Sequence, residues 1–501
     1  MKRFKHLATI AHDVGLIFRF LGIVSFLPFL ILAIFGEWEY ALPMATAPLT
    51  FLVIGYLISR IPAEEIEPSF SVTLGAVALS WFAIALVGAL PFVFGLHMSY
   101  TDSLFEAMSG WTGTGFSMIP SPDTTPKTFL FWRSFMHWIG GIGILAFGLS
   151  LGRRTRVSLF RMYKAEGRED ELIPASASSG RRMWMIYIVL TLVFTGLIML
   201  AGIPLWDSLN LVMVAIATGG FTLHAGGIGY YNNPLLELLL IPVMITGAIP
   251  FKFFFLFYHG KVREMARDRI IRALLLIAAT GSLLVSLDLY IFANVPLTEA
   301  FRQGTFTAVS GLCTCGYQNS NPHLWPVIPL VMVAMLIFIG GAMGSPAGGV
   351  KVNRVVLAYE GVRWWFRRFF VSGRVLVPLR LYGKTLPHKI SELAISKNML
   401  VIVTYVMTII AATVLILHLY ITSFRMEEVT FEIVSALSNS GITVGFISAA
   451  SPISIKWIFI ALMWLGRLEI VPILILGMGI LRELESDTRS QNPPDPYFES
   501  R

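Results

Sequence analysis

The chain has 501 residues, of which 55% are hydrophobic and 14% are charged, and its mean hydropathy is +0.72. Soluble domains carry about a quarter charged residues, so this composition excludes a soluble globular protein and indicates a polytopic membrane protein. The net charge of +8 includes many basic residues placed between apolar segments. Such residues report membrane orientation, and they do not indicate a nucleic-acid partner.

A helix needs about 20 apolar residues to cross the hydrocarbon core of a membrane. The basic N-terminus MKRFKH leads into a long apolar segment without a convincing small-residue cleavage site, so no cleavable signal peptide is predicted. Ten spans are predicted in chain order: 12–35, 42–60, 70–96, 126–151, 183–203, 234–258, 269–293, 325–350, 397–421 and 453–481.

Four short segments between these spans end alike, with an apolar run, a few small or hydroxylated residues and a glycine. They are FEAMSGWTGTGF (105–116), NLVMVAIATGGF (210–221), FTAVSGLCTCGY (306–317) and FEIVSALSNSGI (431–442). Aligned on their first residue, all carry a glycine at position 11, with spacings of 105 (220−115), 96 (316−220) and 125 (441−316) residues. The pattern predicts four units of helix, re-entrant half-helix with loop, and helix, with the first two spans outside the repeat.

Basic residues are concentrated in alternate loops. Residues 151–182 hold eight Lys or Arg residues, 259–272 hold five and 351–397 hold ten, whereas the intervening loops hold at most one each. Loops rich in Lys and Arg stay cytoplasmic, so both termini are predicted inside, as an even number of spans requires. All four glycine-ended segments then enter from the outer face.

These four segments are predicted to surround one axis and to offer carbonyl oxygens to a dehydrated cation, because carbonyl dipoles can replace the water around an ion. Each half-helix would direct its partly negative C-terminal end at that ion. A single glycine is more often a tight turn or a helix-packing site, but four in register favour a filter. The predicted ion-binding residues are Thr112, Gly113, Thr114, Gly115, Thr218, Gly219, Gly220, Cys313, Thr314, Cys315, Gly316, Ser438, Asn439, Ser440 and Gly441.

The second segment offers two glycines for position 11. Gly220 is preferred to Gly219 because Phe221, which follows it, matches Phe116 and Tyr317 in the first and third segments. The four copies differ in sequence and the third carries two cysteines, Cys313 and Cys315. Unequal copies favour cation conduction more clearly than strict selection of potassium over sodium. The cysteines exclude a disulfide scaffold and, without nearby His or Cys partners, do not predict a zinc or redox site.

The segment GGAMGSPAGG (340–349) interrupts an apolar span with five glycines and a proline. Irregular backbone at membrane depth survives only where protein or water satisfies it. A flexible plug beneath the filter is predicted, and a kinked packing contact is the alternative. The predicted gating residues in this segment are Gly340, Gly341, Gly344, Gly348 and Gly349.

Several polar groups carry weaker expectations. Three histidines near the outer ends of spans, His137, His224 and His323, are expected to be surface residues. Acidic residues near the outer face could concentrate cations there or favour half-helix N-termini; they are Asp102, Glu106, Asp207, Glu299, Glu427, Glu428 and Glu432. The stretch RWWFRRFF (363–370) is expected to lie on an anionic inner leaflet as an amphipathic helix or to dock a cytosolic partner.

Four motifs resemble a known family, the bacterial Trk-type potassium uptake subunits (TrkH/TrkG type) of the Trk/Ktr/HKT superfamily. HWIGGIGI (137–144) resembles the second helix of that family's first repeat, and ATGGFTLHAGGIGYY (217–231) resembles its second filter and outer mouth. FIGGAMGSPAGGVKV (338–352) resembles its intramembrane gating loop, and WLGRLEI (464–470) resembles its last helix with a pore-facing arginine. The resemblance covers nearly the whole chain, and the two extra leading spans suit the Trk branch.

The resemblance implies a homodimer in which each chain has its own pore. It also implies a cytosolic nucleotide-binding regulatory ring subunit of the TrkA type, since no Gly-rich nucleotide fingerprint occurs in this chain. It further implies that Arg467 is an electrostatic barrier below the filter; an ion pair with a carboxylate such as Glu469 is the alternative. The expected location is the bacterial inner (cytoplasmic) membrane, with lipid around the chain.

The fold expected is an all-α polytopic membrane protein with four helix–pore-loop–helix repeats around one pore. Its parts are two leading helices (1–64), repeat 1 (65–160), repeat 2 (175–262), repeat 3 with the gating loop (263–362), a cytoplasmic linker (363–396), repeat 4 (397–485) and a disordered tail (486–501). The function expected is potassium uptake with K+ as the transported ion and no bound organic cofactor. A less selective Na+/K+ channel and a cation/proton symporter are the alternatives.

Two other classes of function fit poorly. A secondary transporter with inverted repeats would show adjacent halves of opposite topology, whereas all four repeats here share one topology. A membrane-embedded enzyme would need a nucleophile, an acid pair or a metal cluster inside the bilayer. The sequence shows no HExxH, no GxSxG and no paired aspartates, so the chain is not predicted to be an enzyme.

Overall fold

The computed structural model describes residues 2–62, 70–143, 177–370, 379–381, 384–386 and 388–470. This part of the chain is helical except for loops and one antiparallel hairpin, β1 (Leu379–Leu381) with β2 (Lys384–Leu386). Six helical segments within it are long and apolar enough to cross a membrane, and a bent pair makes a seventh. The predicted tail 486–501 and most of the basic loop 151–182 lie outside the described residues.

The helices follow the predicted order of two leading spans and four repeats. The leading helices are α1 (Lys2–Val24), α2 (Pro28–Phe35) and α3 (Ala41–Ser59). Repeat 1 contains α4 (Phe70–Gly88), α5 (Leu90–Gly95), α6 (Tyr100–Thr112) and α7 (Lys127–Ile142). Repeat 2 contains α8 (Ala177–Met199), α9 (Leu205–Ile216), α10 (Pro234–Ala248) and α11 (Phe251–Tyr258), followed by the short α12 (Val262–Arg267).

Repeats 3 and 4 repeat this plan. Repeat 3 contains α13 (Arg269–Phe292), α14 (Leu297–Leu312), α15 (Val327–Ile339) and α16 (Val352–Phe369). Repeat 4 contains α17 (His388–Leu419), α18 (Met426–Leu437) and α19 (Ile453–Arg467). We call α6, α9, α14 and α18 the pore helices, and α7, α10, α15 and α19 the second helices. The polytopic all-α fold with helix–pore-loop–helix repeats is confirmed.

The repeats are joined in a closed ring. The second helix of each repeat packs against the pore helix of the next: α7 on α9, α10 on α14, α15 on α18, and α19 back on α6. Each pore helix also packs against the first helix of its own repeat. This cyclic order brings the C-terminal ends of all four pore helices toward one centre.

Three second helices meet the neighbouring backbone at a glycine. A Cβ built on Gly140 would overlap the carbonyl oxygen of Trp111, and a Cβ on Gly466 would overlap that of Leu437. A Cβ on Gly247 would lie 2.8 Å from the carbonyl oxygen of Ile216. Small residues allow this close approach of helices in membranes, so these glycines fix the depth at which each second helix crosses its pore helix.

All four second helices end or break at a short stretch of irregular backbone. α7 ends before Gly143, which has φ 89°, and α15 ends before Gly340, which has φ 71°. α10 breaks at residues 249–250, where α11 turns away by 107°, and α19 ends where Glu469 and Ile470 both have positive φ. A positive φ takes the chain out of the right-handed helical conformation, so the helix ends at such a residue.

These breaks correct the predicted spans. The span 325–350 is wrong beyond Ile339, because the glycine-rich segment that follows leaves the helix and turns under the four glycine-ended segments. We call these four segments the filter, after their predicted role. The span 234–258 is a bent pair, since Pro250 lacks the N–H that would continue the helix. For spans 126–151 and 453–481, the stretches 144–151 and 471–481 lie outside the described residues.

Candidate functional site

The four position-11 glycines meet at the centre of the ring. A Cβ built on Gly220 would lie 3.2 Å from the Cα atoms of both Gly115 and Gly316. A Cβ on Gly316 would overlap the carbonyl oxygen of Ser440, and one on Gly441 would overlap that of Thr114. The contacts therefore run from repeat 1 to 2, 2 to 3, 3 to 4 and 4 to 1, and Gly220 occupies the position inferred from the sequence alignment.

Each pore helix ends in the same main-chain arrangement. The position-10 N–H donates to the position-5 carbonyl: Thr114 to Ser109, Gly219 to Val214, Cys315 to Ser310 and Ser440 to Ser435, at 2.8–2.9 Å. The position-9 N–H donates to the position-6 carbonyl at 3.0–3.2 Å in all four copies. This pair of bonds is a Schellman-type helix end, which needs a left-handed residue at position 9.

The position-9 residues do adopt the left-handed conformation. Gly113 has φ 74°, Asn439 has φ 51°, and two threonines, Thr218 and Thr314, have φ 54° and 48°. Glycine and asparagine enter this region readily, whereas a β-branched residue there is a genuine outlier. Strain of this kind costs roughly 1–3 kcal/mol and concentrates at functional sites. The two threonines are therefore held in place by the surrounding structure.

Side chains from different repeats interlock behind this backbone. The Asn439 amide donates to the Thr114 hydroxyl and to the carbonyl of Met463, both at 2.9 Å. The Cys315 thiol lies 3.4 Å from the carbonyl oxygen of Gly219. All fifteen predicted ion-binding residues are buried except Gly115 and Gly220, which are half-buried. The structure thus brings the residues together, and their binding of an ion remains a prediction.

Two of the acidic residues expected at the outer surface are instead fully buried behind the filter. The Glu106 carboxylate accepts bonds from the N–H of Met118 at 2.6 Å and the hydroxyl of Ser117 at 3.1 Å. The Glu432 carboxylate accepts the equivalent bonds from Val444 at 2.9 Å and Thr443 at 2.6 Å. Both hold the segment that leaves the filter, so neither concentrates cations at an open mouth.

Arg133 joins the outer ends of repeats 1 and 2. Its guanidinium is buried, pairs with Glu106 at 2.7 Å and donates to the carbonyl of Thr222 at 3.3 Å. It also lies 4.1 Å from the centre of the Phe221 ring. The pair of Arg133 with Glu106 was not predicted, although Glu106 and Glu432 share the dipeptide Phe-Glu at positions 1 and 2 of their segments.

The expectation of a surface position is wrong for His137. This side chain is 0% exposed and lies directly behind the second filter segment, with its ring 4.3 Å from that of Phe221. α7 packs against α9, and this contact turns the histidine inward. His323 is exposed, as expected, and pairs with Glu428 at 2.8 Å.

His224 lies at a contact between two loops. Its ring stacks on Tyr230 at 3.6 Å and its Nδ1 lies 2.6 Å from Asp123, which also accepts from the N–H of Ala225. These two hydrogen bonds hold the pKa of Asp123 below its ordinary value. The contact ties the outer loop of repeat 1 to that of repeat 2.

The glycine-rich segment 340–351, which we call the intramembrane loop, lies directly beneath the filter. The N–H of Gly348 donates to the Thr314 hydroxyl at 2.7 Å, and a Cβ on Gly348 would overlap the carbonyl oxygen of Ser438. The N–H of Ala342 donates to the carbonyl of Ala248 at the break of repeat 2, at 3.0 Å. The loop is therefore bonded both to the filter and to a neighbouring second helix.

The loop returns on itself through left-handed residues. Gly340, Gly344, Gly349 and Lys351 have φ between 71° and 82°. Gly340 and Gly349 pack backbone against backbone, with 2.8 Å between a Cβ built on Gly349 and the Cα of Gly340. Lys351, buried in this turn, donates to the carbonyl of Ala347. Glycine is required where two backbones approach this closely.

Arg467 reaches this loop from the end of α19. Its guanidinium donates to the carbonyl of Pro346 at 3.1 Å and to the carbonyl of Gly140, and it lies 4.9 Å from the centre of the Trp81 ring. Glu469 forms an ion pair with Arg354. A cavity beneath the filter is lined by these groups, namely Ser345, Pro346, Ala347, Gly348, Lys351, Asn439, Gly466, Arg467 and Glu469.

No group of three or more His, Cys, Asp or Glu side chains within the described ranges could hold a metal ion. Cys313 and Cys315 are both free and buried. The site is thus made of peptide groups, hydroxyls and amides, which are ligands suited to alkali cations and poorly suited to transition metals.

The family model of the TrkH cation transport proteins matches residues 44–488 of the chain. An uncharacterised cation transporter of Methanocaldococcus jannaschii is 28% identical over 474 residues, which cover 94% of this chain and 95% of the relative. The Trk system potassium uptake protein TrkH of Vibrio parahaemolyticus is 28% identical, covering 93% of this chain and 98% of the relative. The crystal structure of the potassium transporter TrkH from that organism superposes with a TM-score of 0.82 at 25% identity, covering 94% of this chain and 98% of the other.

Proposed function

Because the chain belongs to the TrkH family of cation transport proteins, we propose that it takes up potassium ions through a filter formed by its four glycine-ended segments. The family is one of transporters, so the chain is not an enzyme. The observation that carries the proposal is the closed set of contacts among Gly115, Gly220, Gly316 and Gly441. Relatives named as potassium uptake proteins support potassium as the ion.

The mechanism follows from the backbone at the ends of the pore helices. A potassium ion that enters the filter exchanges its water for carbonyl oxygens. The left-handed residues at position 9 turn the chain away from the helix axis so that the following peptides run along the pore. The C-terminal ends of four pore helices add a partly negative potential at the same point. Inward movement is driven by the membrane potential, worth about 2.3 kcal/mol per unit charge at 100 mV.

The intramembrane loop is the proposed gate. It lies across the path beneath the filter and bonds to Thr314, and Arg467 lies beside it with a positive charge that opposes a passing cation. The loop is built from glycines with left-handed φ, and such residues can change conformation at low cost. Opening requires that the Gly348 bond to Thr314 be broken and that the loop move away from Arg467.

A less selective Na+/K+ channel is the second candidate. It is favoured by the inequality of the four copies, since position 10 is Thr114, Gly219, Cys315 or Ser440 and only Gly220 among the position-11 glycines lacks a left-handed φ. Proton symport is an extension of the same scheme and would use the same filter. The transported ion is the only cofactor in the proposal.

The proposed assembly is a homodimer in the cytoplasmic membrane, with one pore in each chain and both termini inside. The alternation of basic and charge-poor loops supports this orientation. A cytosolic nucleotide-binding ring subunit of the TrkA type is the proposed regulator. The arginine-rich, aromatic end of α16 belongs by sequence to one of the basic loops and is its proposed contact.

The test is rubidium or potassium flux into liposomes that contain the purified protein, with sodium as competitor. Gly441→Ala should abolish the preference for potassium, because its Cβ would overlap the Thr114 carbonyl oxygen. Gly445→Ala is the matched control: Gly445 has a similar φ, 88° against 81°, but open space around it. If both variants retain the preference of the unmodified protein, the proposed filter is wrong.

A further inference from the structure

We propose that His137 is a specificity-determining residue of the filter, and that its imidazole takes the place of a side chain that the second filter segment lacks. The inference rests on the proposed cation filter and extends it to a residue outside the four segments. It concerns the contact between α7 of repeat 1 and the end of α9 in repeat 2.

Position 10 has a side chain in three of the four segments. Thr114, Cys315 and Ser440 are all 0% exposed, so each fills space behind its own filter backbone. Thr114 accepts a bond from Asn439 of repeat 4, and Cys315 lies against the Gly219 carbonyl of repeat 2. These side chains therefore support neighbouring repeats. In the second segment the same position is Gly219, which has no side chain.

The imidazole of His137 occupies the space that a Gly219 side chain would fill. A Cβ built on Gly219 would overlap the ring Nδ1 and would lie 2.5 Å from Cγ and 2.7 Å from Cε1. The φ of Gly219 is outside the left-handed region, so its backbone would accept a side chain. The histidine ring is therefore what excludes one.

The position of His137 on its helix is also occupied differently in other repeats. His137 lies three residues before Gly140, the glycine at which α7 crosses its pore helix. Three residues before the equivalent Gly247 and Gly466 stand Met244 and Met463, both 0% exposed. Repeats 2 and 4 thus place a methionine where repeat 1 places a histidine. The second helices that carry these methionines pack against the pore helices of repeats 3 and 1, and both of those repeats have a side chain at position 10, Cys315 and Thr114.

Stability alone does not account for the histidine. Within the described residues neither ring nitrogen of His137 has a hydrogen-bond partner, although the ring is fully buried. A buried polar group without a partner costs free energy that a methionine of similar size would avoid. The ring also holds Phe221, which lies next to the filter and is 4.1 Å from Arg133. The histidine that replaces a methionine in repeat 1 therefore shapes the second filter segment.

The test is a double-mutant cycle of His137→Ala and Gly219→Ser, read in liposomes as rubidium flux and as the ratio of potassium to sodium uptake. His137→Ala leaves an empty space behind the second segment, and Gly219→Ser forces the second segment away from the His137 ring. Each single variant should lower the ratio about tenfold. The double variant should return to within about threefold of the unmodified protein, because the serine then fills the vacated space as Ser440 does in repeat 4.

Met244→Ala is the matched control, because Met244 is equally buried and equivalent in position but faces a repeat with its own position-10 side chain. Combined with Gly219→Ser it should give no rescue. Thermal unfolding in detergent shows whether each variant is folded. Additive losses in the double variant, or an unchanged ratio in a folded His137→Ala variant, would overturn the inference. Lack of potassium preference in the unmodified protein would instead refute the proposed uptake of potassium. The double-mutant cycle would then be measured as rubidium flux alone, in which rescue supports the contact between His137 and the second segment and additive losses overturn it.

Discussion

The hydrogen bond between the intramembrane loop and the filter gives a direct test of gating. The Thr314 hydroxyl accepts from the N–H of Gly348 at 2.7 Å, and Thr314 is 0% exposed. Thr314→Val keeps the size and β-branching of the side chain and removes the acceptor. The Gly348 N–H then has no hydrogen-bond acceptor as long as the loop stays beneath the filter. This N–H can find a new acceptor only when the loop moves.

The size of the effect follows from the cost of a buried donor without a partner, about 1–3 kcal/mol. That cost destabilises the closed arrangement relative to the open one. Since each 1.4 kcal/mol is a factor of ten in an equilibrium constant, the open fraction should rise by about 5- to 150-fold until it saturates. Rubidium uptake into liposomes that contain the purified chain without a regulatory subunit measures this rise.

Two controls isolate the loop contact from a change in the filter. Thr314→Ser keeps the hydroxyl and should behave like the unmodified protein. Thr218→Val removes a hydroxyl from the equivalent left-handed position of repeat 2, where it bonds only to the adjacent Ala217 carbonyl among the described contacts. It should therefore not raise flux. Flux that is unchanged or reduced in Thr314→Val, or raised equally in Thr218→Val, would refute this reasoning.

Three further predictions concern charges around the pore. Arg467→Ala removes a positive charge beside the loop and should raise cation flux by about tenfold, whereas Arg467→Lys should not; reduced flux in the alanine variant would contradict the barrier. Glu106→Gln should lower the melting temperature more than Glu432→Gln, because it leaves Arg133 buried without its ion pair at a cost of about 3–5 kcal/mol; equal shifts would contradict this. The lowered pKa of Asp123 means that its contact with His224 stabilises the protein above about pH 4 and is lost as pH falls through that lowered pKa. Melting temperatures of the unmodified protein and Asp123→Asn should converge in acid, and a constant difference would exclude the contact.

The repeat and the meeting of the four glycines were predictable from the sequence because both depend on local patterns. Apolar runs of about 20 residues mark membrane spans, and a glycine at position 11 of each segment fixed the alignment, including the choice of Gly220. Burial of these segments at a single centre then follows from four copies with one orientation. The close approach of Gly316 to the Ser440 carbonyl, and of Gly441 to the Thr114 carbonyl, where a Cβ would overlap, is a consequence of that same closure.

The breaks at the ends of α7, α10 and α19 and the groups behind the filter could not be predicted in this way, whereas the glycines and the proline of 340–349 did indicate irregular backbone. Apolar residues continue through Ile249, so the apolar pattern extends the span past the point where the helix α10 ends. His137 and Glu106 were expected near the outer surface because both side chains are polar and the sequence alone shows no partner for either of them. The burial of His137 depends on the packing of α7 against α9 of the next repeat, and that of Glu106 depends on the return of residues 117 and 118 and of Arg133 onto its carboxylate.

The four repeats share their main-chain hydrogen bonds but not the side chains that hold them, and this difference bears on selectivity. Repeat 1 has a carboxylate paired with Arg133, repeat 4 has the carboxylate of Glu432 on backbone N–H groups, and repeat 2 relies on His137. Repeat 3 uses Gln318, whose amide exchanges two bonds with Thr443 of repeat 4 at 2.9 and 3.2 Å. A ring with the same main-chain hydrogen bonds but unequal side-chain supports will respond unequally when one support is removed. Selectivity should therefore depend on which repeat is altered, even where the altered positions are equivalent.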